Sequence, residues 1–245
     1  MKQLNYQTMK FTNILISTIA VALLMCSCGK DNNPEALGGY FLGTGEPVEE
    51  KPFEYQAVDM GLDVKWADCN VGAQKPWEPG QYFAWGEIQQ KQNYSWTTYK
   101  FAEGSEKTQT KYCDNAKYGK VDNKHYLLSE DDAATVLMGD GWRMPTNAEM
   151  GQLLNNCDWS IDYKNDIKII VATSKINGAT LTFALGGYMN DGKLVDSGAG
   201  GFYWLSEIET NRPCSARYLC LDTDESKVYT DSGYKFYGIN IRAVR

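Results

Sequence analysis

Apolar and polar positions change rhythm several times along this chain. Ile14 to Met25 is a nearly unbroken apolar run. Gly29 to Pro52 has no period at all. Val58 to Leu62 and Val64 to Ala67 then alternate around Gly61, which predicts two short strands. Tyr82-Phe83-Ala84-Trp85-Gly86 predicts another. From Gln89 to Tyr126 the chain is polar, Tyr-rich and aperiodic, a long loop of the kind that is either functional or disordered. Ser129 then opens a predicted helix. Glu130, Asp131 and Asp132 fill its first turn, where the helix dipole favours acids, and Ala133, Val136 and Leu137 form its buried face.

The clearest local signal is Gly141 to Leu154. Pro145 keeps Met144 extended. Thr146 can cap a helix that Glu149, three residues on, completes as a capping box. Met150, Leu153 and Leu154 give that helix one buried side. Arg143 is expected to pair with a carboxylate or with strand carbonyls, and the two neighbouring helices are expected to pack together. Beyond Cys157 the pattern is all strand. Ile167 to Ala172 runs to Asn177-Gly178, a type I′ hairpin signal, and Leu181, Phe183 and Leu185 alternate on the return. Phe202 to Ser206 follows. Arg217–Leu221 and Lys227–Tyr229 form a hairpin across Asp222–Ser226, and Tyr237 to Arg245 closes as an alternating strand. Two helices set among many short strands predict an α+β domain, and no internal repeat is visible.

The front of the chain reads as targeting rather than fold. Lys2 and Lys10 precede an apolar run shorter than the ~20 residues a membrane-spanning helix needs. The run ends in Met25-Cys26-Ser27-Cys28-Gly29, which resembles the lipobox of bacterial lipoproteins. That resemblance implies cleavage before an acylated cysteine. Cys28, behind small Ser27, fits better than Cys26 behind bulky Met25; an ordinary cleaved signal peptide is the alternative. Residues 1–27 are thus the expected leader and 28–52 a flexible tether. Residues 53–245 are the expected domain. Lys30-Asp31 is similar to the short tags that direct Bacteroidetes lipoproteins to the outer face of the outer membrane. The predicted location is therefore the outer membrane, exposed at the cell surface, with the membrane reached through the lipid.

Charge and composition narrow the chemistry. The net charge is −7, and no basic stripe is present, which argues against nucleic acid as a partner. Cys69, Cys113, Cys157, Cys214 and Cys220 contain no CxxC pair, and His125 is the one histidine, so no zinc site or other cofactor is predicted. Most of these thiols are expected free, with Cys214–Cys220 a possible local disulfide. Glu130 to Asp132 with Asp122 and Asn123 could hold calcium, but capping is the simpler role for those acids. Seven Trp and sixteen Tyr raise the question of ring-stacking contacts. Trp66, Trp85, Trp142 and Trp204 lie in strand patterns and are expected in the core. Trp77, Trp96 and Tyr94 lie in loops and are the better contact candidates.

Several stretches together are similar to one family. They are Ala57–Ala73, Tyr82–Glu87, Lys111–Lys124, Glu130–Ala134, Gly141–Met150, Gly201–Glu207 and Gly238–Arg245. In this order they resemble the Fibrobacter succinogenes major paralogous domain of Bacteroidetes lipoproteins, over about Tyr55 to Arg245. The resemblance implies a C-type lectin-like fold, in which N- and C-terminal strands pair, two helices flank short antiparallel sheets, and long loops vary with ligand. The Glu-Pro-Asn or Gln-Pro-Asp loop and Trp-Asn-Asp strand of calcium-dependent sugar-binding lectins do not occur in this domain, so that metal-mediated chemistry does not carry over.

In lectin-like domains the late hairpin often lines the binding face. Here it offers Tyr218, Asp222, Asp224, Tyr229, Tyr234 and Tyr237, residue types that combine rigid contact area with hydrogen bonding. These, with Trp77 and Trp96, are the candidate ligand contacts. The function expected is a non-enzymatic, adhesin-like surface protein that binds a glycan or a protein. The alternative is a structural subunit of a surface or fimbrial assembly. An enzyme of the formylglycine-generating type, using Cys214 and Cys220, is the weakest reading, because no surrounding motif matches.

Overall fold

The computed structural model describes residues 53–245, apart from Asp140, together with the backbone of Gln7–Thr8. The expected apolar leader core, Cys28 and the tether lie outside the described residues. Gln7–Thr8 forms β1. The domain continues through β2 (Ala57–Asp59), β3 (Lys65–Ala67), α1 (Ala133–Met138) and α2 (Asn147–Asn156). Then come β4 (Cys157–Lys164), β5 (Ile167–Ser174), β6 (Thr180–Ala184), β7 (Tyr188–Asn190) and β8 (Lys193–Val195). Long β9 (Gly200–Ile208), β10 (Ser215–Asp222) and β11 (Lys227–Tyr234) complete the set. The sheets are antiparallel, ordered β1-β11-β10-β9, β2-β3, β4-β5-β6 and β7-β8. Two helices among small antiparallel sheets make this an α+β fold.

The helix α2 begins as its sequence dictates. Thr146 Oγ1 accepts from the Glu149 N–H at 3.2 Å, and Glu149 Oε2 accepts from the Thr146 N–H at 2.8 Å. Arg143 closes on the same carboxylate through two bonds, of 2.9 and 2.6 Å. Burial alone would raise the Glu149 carboxyl, but the bonds from Arg143 and Thr146 outweigh it and hold the group below its usual range. Met150, Leu153 and Leu154 are buried, and α2 seats against β9, β10 and β11 rather than chiefly against α1.

At α1 the expectation needs correcting. Ser129–Asp131 is a separate 3-10 turn, and Asp132, not Ser129, caps the helix by accepting from the N–H groups of Ala134 and Thr135. Its other oxygen takes the Met144 N–H at 2.8 Å, tying the helix start to the turn before α2. Ala133 and Ala134 are buried while Val136 and Leu137 are exposed. The later start rotates the apolar face away from the expected one.

The hairpin signal also sits elsewhere. Asn165 and Asp166, between Lys164 and Ile167, both take positive φ (50° and 63°), the two-residue primed turn. At Asn177-Gly178 only Gly178 has positive φ. There Ser174 Oγ accepts from the N–H groups of Ile176 and Asn177, and Asn177 Oδ1 accepts from that of Ala179, giving a wider loop.

The closing segment is a run of bridges instead of one regular strand. Lys65 and Arg245 exchange both backbone bonds at 2.9 Å, Ala67 donates to Ala243, Val71 to Ile241, and Phe83 exchanges with Ile239. Arg143 exchanges with Val244, and Trp204 donates to Asn240. The start of the domain and its end are therefore paired. Tyr82–Gly86 takes part as a single bridge, not a strand. Arg242 is fully buried here and donates to Asn70 Oδ1 and to the carbonyls of Ala67 and Thr182.

The interior divides into two clusters. One packs α2 and β4–β6 around Leu153, Ile170, Leu181, Leu205 and Leu219. The other is dominated by rings, among them Phe83, Trp85, Tyr94, Tyr99, Phe101, Tyr112, Trp142 and Trp204. The region Gln89–Tyr126 supplies much of this second cluster. Its irregular backbone is held by specific bonds: Asp122 accepts from the Tyr112 and Cys113 N–H groups, and Asp131 accepts from Lys100, Lys111 and the Tyr112 hydroxyl. Tyr94, expected in contact with ligand, is 1 % exposed. The long segment is an irregular loop that sends Tyr94, Tyr99, Phe101 and Tyr112 into the core.

Candidate binding cleft

Where the ring cluster reaches the surface it opens into a cleft of about 330 Å³. β7 brings Tyr188, β9 brings Phe202, β10 brings Tyr218, and the end of β11 and the turn after it bring Tyr234 and Tyr237. Neighbouring rings meet edge-on or tilted. Tyr188 lies 5.2 Å from both Phe202 and Tyr237, Phe202 lies 5.8 Å from Tyr218, and Tyr234 lies 5.8 Å from Tyr237. Such edge and tilted contacts are favourable ring geometries and fix each neighbour's orientation. Gly233, paired with Ala216 on the β10–β11 ladder, lies diagonal to Tyr218, and a Cβ there would stand 2.9 Å from the Tyr218 ring. The missing side chain makes room for the ring.

Polar groups edge this wall. Arg212 lies with its guanidinium carbon 5.6 Å from the Tyr234 ring centre, and Asp196 and Ser232 complete the lining. Burial raises the hydroxyls of Tyr188 and Tyr237, so both remain protonated donors at neutral pH. Tyr218 is raised further, again by burial first and then by Asp231.

Of the sequence-predicted contacts, the cleft unites Tyr218, Tyr234 and Tyr237. The others fall elsewhere. Trp96 packs edge-on against Tyr234 and Phe236, at 5.6 and 4.9 Å, supporting a cleft ring without lining the cleft. Trp77 lines a separate recess beside Pro79 and Leu185 and lies within cation–π range of Lys75 and Lys164. Asp222 Oδ1 accepts from the N–H groups of Asp224 and Glu225, which closes the β10–β11 turn. Asp222 and Asp224 line a neighbouring recess of about 280 Å³ that shares Asp196 and Phe202 with the cleft. Tyr229 stands opposite Cys220 on the ladder, farther along the hairpin, and hydrogen bonds to its thiol.

Comparison with protein-family models, with curated proteins and with solved structures finds no match. The cleft therefore has to be read from its own chemistry. Tyr188, Asp196, Phe202 and Arg212 were not among the expected contacts. Tyr188, Asp196 and Phe202 come from earlier strands and turns and Arg212 from the turn that leads into β10; the ring-rich strings Gly186-Gly187-Tyr188 and Phe202-Tyr203-Trp204 hinted at the two rings alone.

The remaining candidates for chemistry are committed to structure. The five cysteines of the domain are buried free thiols, and Cys214 and Cys220 are not joined. Burial pushes Cys69 and Cys220 up to about 12 and Cys157 up to about 11, far from thiolate nucleophiles. Among the described residues no group of His, Cys, Asp or Glu is placed to hold a metal ion. The proposed calcium ligands have other work: Asp131 holds two lysines and a tyrosine, Asp132 caps α1, and Asp122 organises the loop.

Proposed function

We propose that this chain is a lipid-anchored protein of the outer bacterial surface that binds a glycan in the aromatic cleft, without catalysis. The observation that carries the reading is the cleft itself. Rigid rings offer flat apolar faces to a sugar, and hydroxyl, guanidinium and carboxylate groups stand at their edges to meet its hydroxyls. Concave, mostly apolar sites with a few convergent polar groups are the usual form of a small-ligand site. The paired domain ends, the two helices and the ring-lined late hairpin support the resemblance to a C-type lectin-like fold. The signal ending at Cys28 supports lipidation and surface display. The high thiol values at Cys69, Cys157 and Cys220 count against cysteine catalysis.

The test is a glycan array probed with the purified full-length chain, followed by titration of any ligand found. Tyr237→Ala should weaken binding at least tenfold, about 1.4 kcal/mol, as for a ring at the centre of an interface. The absence of any glycan ligand, with a protein captured through the same rings, would replace this reading. Anchoring is tested separately: labelled palmitate should be incorporated by the parent chain in cells and lost in Cys28→Ser.

A further inference from the structure

We infer that the glycan taken by the cleft carries a carboxylate, as uronic and sialic acids do, and that Arg212 is the residue that selects it. The inference rests on the proposed glycan reading and adds the ligand's charge. Arg212 is the one cation among the described lining residues of the cleft, and Asp196 the one anion. In a chain of net charge −7, a cation at the ring wall sets the local preference against the protein's overall field.

The turn that carries Arg212 is built to hold it there. The Arg212 N–H donates to the Glu209 carbonyl at 3.0 Å, and the Arg212 carbonyl accepts from Ser215 at 2.9 Å. The preceding Asn211 is clamped from both sides, its N–H donating to Asp114 and its carbonyl accepting from the Asn115 amide, each at 3.0 Å. Nearby Arg217 is neutralised by Glu209 at 2.6 Å. Arg212 instead bonds to the Cys214 thiol and the Tyr234 hydroxyl, and among the described residues it has no carboxylate partner. A guanidinium carries a planar fork of donors, so those two contacts leave capacity for a two-pronged bond to a carboxylate.

Placement matches a ring bearing an acid at one side. Arg212 adjoins Tyr234, Asp196 adjoins Tyr188, and Tyr237 touches both of those rings. A pyranose stacked on Tyr237 presents its carboxylate toward Arg212 and its hydroxyls toward Asp196.

The experiment compares oligogalacturonate and oligoglucuronate with the same sugars after reduction of each carboxyl to the primary alcohol. Titration of the full-length chain should show the acidic forms binding at least about tenfold tighter. That preference should shrink as salt rises. Arg212→Ala should abolish the preference, so that acidic and neutral forms bind alike, and Tyr237→Ala should weaken both. Arg212 is exposed, so this variant is expected to fold, and an unchanged thermal unfolding midpoint checks it. Equal binding of acidic and neutral sugars, still sensitive to Tyr237→Ala, overturns the acid preference and keeps the glycan reading. Binding of polyglutamate with no sugar bound, or of no sugar at all, overturns both.

Discussion

The two halves of the interior bury comparable chemistry in different ways. Around α2 and β4–β6 the core is mainly aliphatic, with Leu153, Ile170, Leu181, Leu205 and Leu219 closed off from water. Around the irregular 89–126 region it is built of rings that lead without a break from buried Trp85 and Tyr112 to half-exposed Tyr234 and Tyr237. Branched aliphatic side chains stabilise by filling space, and they offer water nothing. Rings with polar tips can be core at one edge and surface at the other. Trp85 and Trp204 show the inner case, each donating its indole N–H to a buried carbonyl at 2.8 Å. The tyrosines of the cleft show the outer case. The proposed recognition surface thus grows from the core that can end in hydrogen-bonding groups.

The sharpest way to break the comparison is to empty each half in turn. Leu153→Ala should cost about 2–5 kcal/mol in denaturant unfolding, because a buried leucine leaves a cavity. Ligand affinity of the folded fraction should stay unchanged. A fall in affinity as large as the fall in stability would mean that the halves are not separable.

The ring half also buries a lysine among its rings. Lys235 is fully buried, donates to the Tyr112 carbonyl at 3.0 Å, and lies 5.1 Å from the Trp85 ring centre. Burial pushes its ammonium down to about 7. Its unfolded value is near 10.4, so between these the unfolded chain binds the extra proton. Stability from this group therefore rises with pH above about 7, at up to about 1.4 kcal/mol per pH unit. Relative to Lys235→Met, the parent should gain stability from pH 7 to 8.5 in parallel denaturant titrations. Parallel curves would mean that the buried lysine keeps its proton in the folded state across this range.

Thr146→Ala is the smaller perturbation, about 1 kcal/mol, read in the same unfolding assay. It acts on the aliphatic half alone. Glu149→Gln removes the partner of Arg143 as well. Because the Glu149 carboxyl is held below its usual value, the stabilisation is complete above about pH 4.3 and is lost as pH falls through the lowered value. The variant should therefore differ from the parent at pH 6 and converge with it in strong acid. Trp77→Ala should do least of all, leaving glycan affinity within about twofold, since its ring lines a different recess.

Legibility in the sequence followed the range of the forces involved. Thr146 and Glu149 could be read because the two capping residues lie three residues apart; that Arg143 would pair was read, but its partner Glu149, six residues on, was not. Trp66 and Trp204 could be assigned to the core because alternation marks a buried strand face. The tyrosines of the late hairpin were found as residue types. Their separation into cleft and non-cleft members was not, since it depends on β7, β9 and the 209–215 turn arriving from elsewhere. Asp222, expected as a ligand contact, closes the β10–β11 turn and lines the recess beside the cleft, because a short acid two residues from a free N–H satisfies its own backbone first. Val136 and Leu137 were misplaced for a similar reason: a three-residue shift in the cap, from Ser129 to Asp132, changes which side of a short helix is covered. The 89–126 segment is the irregular loop its period indicated, but the burial of Tyr94, Tyr99, Phe101 and Tyr112 and the long-range bonds of Tyr112 to Asp131 and Lys235 are beyond any local rule.

Arg242 and its neighbours carry a consequence for how the protein is made. Residues 239–245 provide the backbone partners of Lys65, Ala67, Val71, Phe83, Arg143 and Trp204, and Arg242 joins Asn70, Ala67 and Thr182 through one side chain. None of those partners can be satisfied until residues 239–245 have been synthesised. Contacts between such distant segments also form slowly. On the proposed surface location, this late closure suits a chain that has to be threaded through a secretion pore before it folds.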